Sequence, residues 1–132
     1  MSTQHIPVSK YMTPCPHTIG VQQTLAVAAK RMRDFEIRHL PVLDAGHLVG
    51  VLSERDILLV EGLQGVDPGK DHVNEAMTQK AYVTGPDAPL GQVAAEMAKH
   101  KYGAAVIVDG DRVVGVFTTV DACRALADAH PL

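Results

Sequence analysis

Two short segments of this sequence each place a hydroxyl residue three positions before an aspartate. The first is GVLSERDI, residues 50–57, with Ser53 and Asp56; the second is GVFTTVDA, residues 115–122, with Thr118 and Asp121. Before an apolar helix this spacing is typical of a capping box, in which the two side chains bond to free N–H groups at the helix start. The pattern is therefore either a helix cap used twice or two copies of a binding site.

Two other groups of side chains have the residue types of a catalytic or metal site without the spacing. Cys15 and His17 are residue types that bind zinc, but the paired spacing of a structural zinc site is missing. Ser53, His39 and Asp44 have the types of a hydrolase triad, but the nucleophile elbow of such enzymes is absent. We therefore expect no enzymatic activity, and we keep a metal site only as an alternative.

The charge and composition of the chain argue against nucleic acids and membranes as partners. The formal net charge is −3, acidic and basic residues are interspersed, and only 4% of the residues are aromatic. Nucleic-acid surfaces need a basic patch, and single-strand sites also need stacking side chains. No apolar run approaches the roughly 18 residues of a membrane helix. These features, with two cysteines that form no disulfide framework, favour a cytoplasmic protein.

The two hydroxyl–aspartate segments belong to a longer internal repeat with an offset of 65 residues. Met12-Thr13 recurs as Met77-Thr78, and Val49-Gly50-Val51 recurs as Val114-Gly115-Val116. Further identities on the same register fall at positions 8, 20, 25, 29, 32, 44 and 56. So many matches on one register indicate a duplication.

Each half of the chain predicts the order β-α-β-β-α. Apolar residues at helical spacing follow a short strand, at 25–35 in the first half and at 90–97 in the second. Two apolar runs across a turn then predict a hairpin, and a last helix begins at Ser53 or Thr118. We expect residues 1–60 and 73–132 to form two repeats joined by a connector, 61–72. The predicted fold class is α+β, with the repeats related by a pseudo-two-fold axis, their sheets packed together and the helices outside.

This arrangement resembles a tandem pair of cystathionine-β-synthase (CBS) domains, often called a Bateman module. The resemblance covers roughly residues 8–127. It rests on VSKYMT and VNEAMT, on HLPVLD and AAVIVD, and on the two G-V-hydrophobic-[ST]-x-x-D segments. It implies a disc-like homodimer with clefts between the repeats that bind AMP, ADP, ATP or S-adenosylmethionine. It also implies that the module regulates an attached or associated effector.

The resemblance assigns candidate ligand-binding residues to two clefts, each drawing its hydroxyl and aspartate from one repeat and most other residues from the other. The first cleft would combine Ser53 and Asp56 with Tyr82, Tyr102 and Ala104. The second would combine Thr118 and Asp121 with His17, Ile37, Arg38 and His39. The carboxylate would accept hydrogen bonds from ribose hydroxyls, and the helix start favours an anion.

The two clefts differ in charge. Arg38-His39 would supply cationic donors to the second cleft, whereas the matching pair, Gly103-Ala104, offers no charge to the first, so a phosphorylated ligand is expected at the second. We predict a non-enzymatic regulatory module that requires no cofactor, binds an adenine nucleotide and signals in trans through conformation or an effector protein. Two alternatives stay open: an interaction scaffold with degenerate clefts, and a metal- or redox-responsive module that uses Cys15 and His17.

Overall fold

The computed structural model describes residues 6–14, 17–62, 71–78 and 81–131, which fall into two compact units. The central unit runs from residue 17 to residue 81, and the terminal unit combines the leading segment, residues 6–14, with residues 82–131. Within these ranges each unit has one sheet and two α-helices, so the α+β prediction is confirmed. Most of the predicted connector, residues 63–70, lies outside the described residues.

The described elements follow the β-α-β-β-α order predicted for each half. In chain order they are β1 (Thr13–Pro14), β2 (Ile19–Gly20), α1 (Leu25–Asp34), β3 (His39–Asp44), β4 (His47–Ser53), α2 (Glu54–Glu61), β5 (Val83–Thr84), α3 (Leu90–His100), β6 (Ala104–Asp109), β7 (Arg112–Thr118) and α4 (Thr119–Ala129). Short 3-10 turns at Val8–Lys10 and Val73–Glu75 complete them. The strand β1 and both 3-10 turns were not predicted from the sequence.

The central unit has the strand order β2-β3-β4. Strands β2 and β3 are parallel and are connected by α1, whereas β3 and β4 form an antiparallel hairpin. The hairpin turn has positive φ at both Ala45 and Gly46, the backbone that a two-residue turn needs to match strand twist. Both helices pack on this sheet through apolar side chains. The buried core of the unit consists of Ile19, Leu25, Ala28, Met32, Leu40, Val42, Leu52, Ile57 and Val73.

The terminal unit repeats this plan and adds the leading segment to its sheet. The strand order is β1-β7-β6-β5, in which β5 and β6 are parallel and the other pairs antiparallel. The N–H of Val8 donates to the carbonyl oxygen of Ala88, and the N–H of Leu90 to that of Ile6, both at 2.8 Å. The leading segment is therefore part of this unit although most of the unit lies beyond residue 81. The buried core consists of Val8, Val93, Met97, Ala105, Ile107 and Phe117.

The glycine of each Val-Gly-Val motif makes room for the backbone of a Met-Thr motif. A Cβ on Gly50 would lie 2.5 Å from the carbonyl oxygen of Thr78, and a Cβ on Gly115 would lie 2.9 Å from that of Thr13. In both units the threonine pairs with the strand that carries the glycine: Thr13 with Val116 and Thr78 with Val51. In each unit, the Met-Thr and Val-Gly-Val motifs that revealed the duplication thus contact each other through their backbones.

Each crossover helix is followed, within two residues of its end, by a residue in the left-handed region. Glu36 follows α1 with a φ of 55°, and Lys101 follows α3 with a φ of 60°. The two positions are 65 residues apart, so the repeat preserves the backbone conformation although the side chains differ in charge. Residues with a Cβ pay a steric cost in this conformation.

Candidate functional site

Both hydroxyl–aspartate pairs form complete capping boxes at helix starts. Asp56 N–H donates to Ser53 Oγ at 3.0 Å, and Ser53 N–H donates to Asp56 Oδ2 at 2.9 Å. At α4 the Asp121 N–H donates to Thr118 Oγ1 at 3.2 Å, and Thr118 N–H donates to Asp121 Oδ2 at 2.9 Å. One oxygen of each aspartate is therefore used by the helix itself, and the capping interpretation of both segments is correct.

The Asp121 carboxylate has partners beyond its cap. The Thr13 hydroxyl lies 3.1 Å from Oδ1 and 3.2 Å from Oδ2, and Arg124 Nη2 donates to Oδ1 at 2.6 Å. Asp121 is only 2% exposed, and among the described residues it is the charged residue that is buried. Burial of a carboxylate is tolerated here because charged and neutral donors surround it.

The Asp56 carboxylate is half-buried, and the described residues provide no such shell for it. Among the described residues its side chain accepts only the cap bond from Ser53 N–H. Its Oδ1 therefore has no donor in the described part of the chain. The two aspartates are equivalent in sequence and in helix capping, but they differ in what surrounds them.

Arg38 and His39 lie next to Ser53 within the central unit. His39 is paired with Ser53 across the β3–β4 hairpin, and the carbonyl oxygen of Arg38 accepts the N–H of Glu54 at 2.9 Å. Arg38 is exposed, whereas His39 and Ile37 are half-buried. Ile37 packs against the core of this unit. The structure thus brings Arg38 and His39 to the start of α2.

Aromatic rings stack at matching positions of the two units. His17 stacks on Phe35 with 3.7 Å between ring centroids and 14° between ring planes. In the terminal unit Tyr82 stacks on Tyr102 at 5.3 Å, and Tyr102 stacks on His100 at 5.2 Å. Burial raises the pKa of the Tyr82 phenol above its ordinary value, and the nearby Glu96 charge adds to this. These stacks extend the predicted set by Phe35 and His100.

The candidate residues thus divide into two groups. The central unit holds His17, Ile37, Arg38, His39, Ser53 and Asp56, and the terminal unit holds Tyr82, Tyr102, Ala104, Thr118 and Asp121. Ala104 is buried and pairs with Thr118 across the β6–β7 hairpin. The predicted clefts combine residues of both units, and that combination stays a prediction.

The sequence did not predict the residues that fasten the leading segment to α4. Arg124 Nη2 also donates to the carbonyl oxygen of Tyr11 at 3.3 Å, and the Tyr11 hydroxyl donates to Asp128 at 2.7 Å. The bond to Asp128 raises the pKa of Tyr11 above its ordinary value. The spacing of Asp121 and Arg124 on a helix was a usable signal, since residues three apart are neighbours. No sequence signal connects Thr13 with Asp121, which is 108 residues away.

The described ranges hold neither a metal-ion cluster nor a membrane-spanning helix. No group of three or more His, Cys, Asp or Glu side chains there is arranged to hold a metal ion. Cys15, the predicted alternative metal ligand, lies outside the described residues. None of the helices in the described ranges has the length and apolar character needed to cross a bilayer.

Comparison with known proteins relates both halves of the chain to one family model. The model, described as CBS domain, matches residues 8–61 and again residues 73–128. The CBS domain-containing protein YhcV of Bacillus subtilis is 32% identical over 114 residues, which are 86% of this chain and 81% of YhcV.

Two solved structures are similar over nearly their whole length. The CBS domain pair of protein MJ0100, in complex with 5′-methylthioadenosine and S-adenosyl-L-methionine, is 28% identical with a TM-score of 0.83. That match covers 94% of this chain and 98% of the other. Hypoxic Response Protein I with two coordinated zinc ions is 27% identical with a TM-score of 0.76, covering 90% of this chain and 98% of the other.

Proposed function

The chain belongs to the CBS domain family, as its repeats predicted, and we propose that it is a regulatory module that binds an adenosine-containing ligand. The observation that carries this proposal is the pair of adenosine compounds bound by MJ0100, whose CBS domain pair is similar to nearly all of this chain. The ligand would be AMP, ADP, ATP or S-adenosylmethionine, held in clefts between the two repeats. No catalytic step is part of this function.

We assign the recognition of the ligand to the residues at the two capped helix starts. The Asp56 or Asp121 carboxylate would accept hydrogen bonds from ribose hydroxyls, and the Arg38 guanidinium would hold a phosphate. Arg38 suits this role because its side chain is exposed and a guanidinium presents parallel donors to phosphate oxygens. Tyr82, Tyr102, Ala104, His17, Ile37 and His39 would line the base and the sugar.

A regulatory role requires that the ligand favour one conformation of the module over another. A ligand that binds both repeats shifts their arrangement only by the difference between its affinities for the two states. The signal would then reach an effector protein in trans, through the shape of the module or through partner binding.

We also propose that the module is a homodimer. Helices α2 and α4 each carry large apolar side chains that the described chain leaves exposed: Leu58 and Leu59 at 62%, Val120 at 62% and Leu126 at 63%. Exposed apolar side chains on neighbouring helical turns are typical of protein contact surfaces. Light scattering should give twice the mass of the chain, and Leu58→Glu should reduce that mass. A monomeric mass for the unaltered protein would contradict this assignment.

A panel of ligands tests the proposed function. AMP, ADP, ATP, S-adenosylmethionine and 5′-methylthioadenosine should be compared with CMP in thermal unfolding, with CMP as the control for ribose and phosphate. A ligand at 100 times its Kd stabilises the folded state by about 2.7 kcal/mol, which is a clear shift. A shift with an adenosine compound and none with CMP is expected. No shift with any of them would favour the scaffold alternative.

The zinc-bound relative favours one second candidate, a metal-responsive module. Cys15 and His17 are the residues that we would assign to the metal. Calorimetric titration with zinc should then show binding, and Cys15→Ser should remove it. Under this second candidate the protein should show no binding of adenosine compounds. Zinc binding that survives this substitution would exclude Cys15 from the site.

A further inference from the structure

The two capped aspartates differ in how many hydrogen bonds their carboxylates can still accept. A carboxylate offers about four acceptor positions. At Asp121 three donors take up most of these positions: Arg124 on Oδ1, the Thr118 N–H on Oδ2, and the single proton of the Thr13 hydroxyl, which lies within reach of both oxygens. At 2% exposure the side chain also has almost no open surface. A ribose can bond to Asp121 only after one of these donors leaves.

The repeat offset identifies which of these donors comes from a difference in residue type. Thr13 has a threonine counterpart, Thr78, in the other half, whereas Arg124 is matched by Leu59. Leucine has no donor, and Leu59 is 62% exposed on α2. Among the described residues Asp56 receives a side-chain bond from neither Thr78 nor Leu59, so its Oδ1 has no donor there.

Arg124 blocks access to the Asp121 carboxylate, and its position also allows the bond between them to break. It bonds to Asp121 at 2.6 Å and to the Tyr11 carbonyl oxygen at 3.3 Å, so it joins α4 to the leading segment. Its own side chain remains 55% exposed, so it can exchange Asp121 for solvent.

We propose that Arg124 closes the Thr118/Asp121 site to a ribose, so that the Ser53/Asp56 site takes the ligand first. This inference rests on the proposed function and adds to it the order in which the two sites fill. It reverses the ranking drawn from Arg38-His39 in the sequence, because a carboxylate that is buried and already bonded outweighs the charge that this pair was predicted to bring.

An exchange of the two matched residues tests the proposal. Arg124→Leu gives Asp121 the neighbour that Asp56 has, and Leu59→Arg gives Asp56 the neighbour that Asp121 has. The probe is 5′-methylthioadenosine, which has both ribose hydroxyls and no phosphate, so attraction between an arginine and a phosphate cannot contribute. Calorimetry measures its stoichiometry and affinity.

The expected results have opposite signs for the two variants. The unaltered protein should bind one equivalent per chain, and Arg124→Leu should add a second. Leu59→Arg should weaken the first site by about tenfold or more, the effect of one charge-assisted hydrogen bond that the ligand must displace. Leu126→Arg adds a charge to the same proposed dimer surface as Leu59→Arg, so it controls for loss of the dimer, and Arg33→Leu controls for the removal of a charge; neither should change the affinity for 5′-methylthioadenosine.

The failure of this inference can be told apart from failure of the proposed function. Two equivalent sites in the unaltered protein, or unchanged stoichiometry in Arg124→Leu, would overturn the role of Arg124 while leaving nucleotide binding intact. No binding by any variant would overturn the proposed function, and the order of filling with it.

A measurement without ligand addresses the closing contact directly. Hydrogen exchange at residues 6–14 should be faster in Arg124→Leu than in the unaltered protein, because Arg124 joins this segment to α4. Unchanged exchange would show that Arg124 does not hold the segment. If Arg124→Leu does not fold, Arg124→Gln can replace it, because glutamine keeps most of the side-chain length and removes the charge. Exchange at residues 6–14 should again be faster than in the unaltered protein.

Discussion

Replacing Asp121 with alanine is expected to destabilise the protein more than replacing Asp56, although both aspartates complete the same capping box. Each substitution removes a hydrogen bond to the N-cap N–H and a negative charge near a helix N-terminus. Such a cap interaction contributes about 1 kcal/mol to stability. Asp56→Ala should therefore lower the free energy of unfolding by about 1 kcal/mol.

Asp121→Ala removes two further contacts. The bond from the Thr13 hydroxyl is worth about 1 kcal/mol. The Arg124 pair would be worth more if it were buried, but its arginine is 55% exposed, so we count it as about 1 kcal/mol as well. The expected loss is therefore about 3 kcal/mol, or roughly 2 kcal/mol more than at Asp56.

Urea denaturation of both variants measures this difference. A double-mutant cycle of Asp121→Ala with Arg124→Leu should give a coupling energy of about 1 kcal/mol. Asp34→Ala is a control, because its ion pair with Lys30 is exposed on both sides and should change stability by less than about 0.5 kcal/mol. Equal losses at Asp56 and Asp121, or a coupling energy of zero, would refute the reasoning.

Three further perturbations test the fold. Gly50→Ala should lower the free energy of unfolding, measured in urea, by roughly 1–3 kcal/mol, because its Cβ would lie 2.5 Å from a backbone oxygen. Gly91→Ala is the control: a Cβ there meets nothing within 4 Å, so the substitution should be neutral or stabilising. Equal effects of the two substitutions would contradict this explanation. Lys101→Gly should stabilise by about 0.5–1 kcal/mol in calorimetry because its φ is 60°; a loss would refute the steric cost. The bond to Asp128 raises the pKa of Tyr11, so the stability it adds is complete below pH 10.0 and is lost as the pH rises through the folded-state pKa. Carbon-13 NMR of the phenol should show that pKa falling in Asp128→Ala, and an unchanged titration would exclude the bond as its cause.

The order of the elements and the caps could be predicted from the sequence because both depend on local spacing. A capping box closes within four residues, so Ser53 with Asp56, and Thr118 with Asp121, needed no knowledge of the fold. Apolar periodicity likewise predicted both hairpins to within about two residues. The strand β1 was missed because its two residues carry no periodic pattern and form a strand only by pairing with β7.

The sequence also revealed that the Met-Thr and Val-Gly-Val motifs are identical in the two halves, but it did not show why these residues are needed. Only the folded chain brings the Thr78 backbone against Gly50 and the Thr13 backbone against Gly115, where a side chain does not fit. Sequence spacing cannot report a contact between segments that are far apart in the chain.

By itself, then, the sequence determined the duplication, the α+β class, the helix caps and the family, all of which depend on short-range patterns repeated on one register. The tertiary structure decided how the two copies differ. Thr13 reaches Asp121 from 108 residues away, and Arg124 completes a shell that Leu59 cannot provide for Asp56. The physical reason is that the capacity of a carboxylate for new hydrogen bonds depends on every donor around it, and most of those donors are brought there by folding.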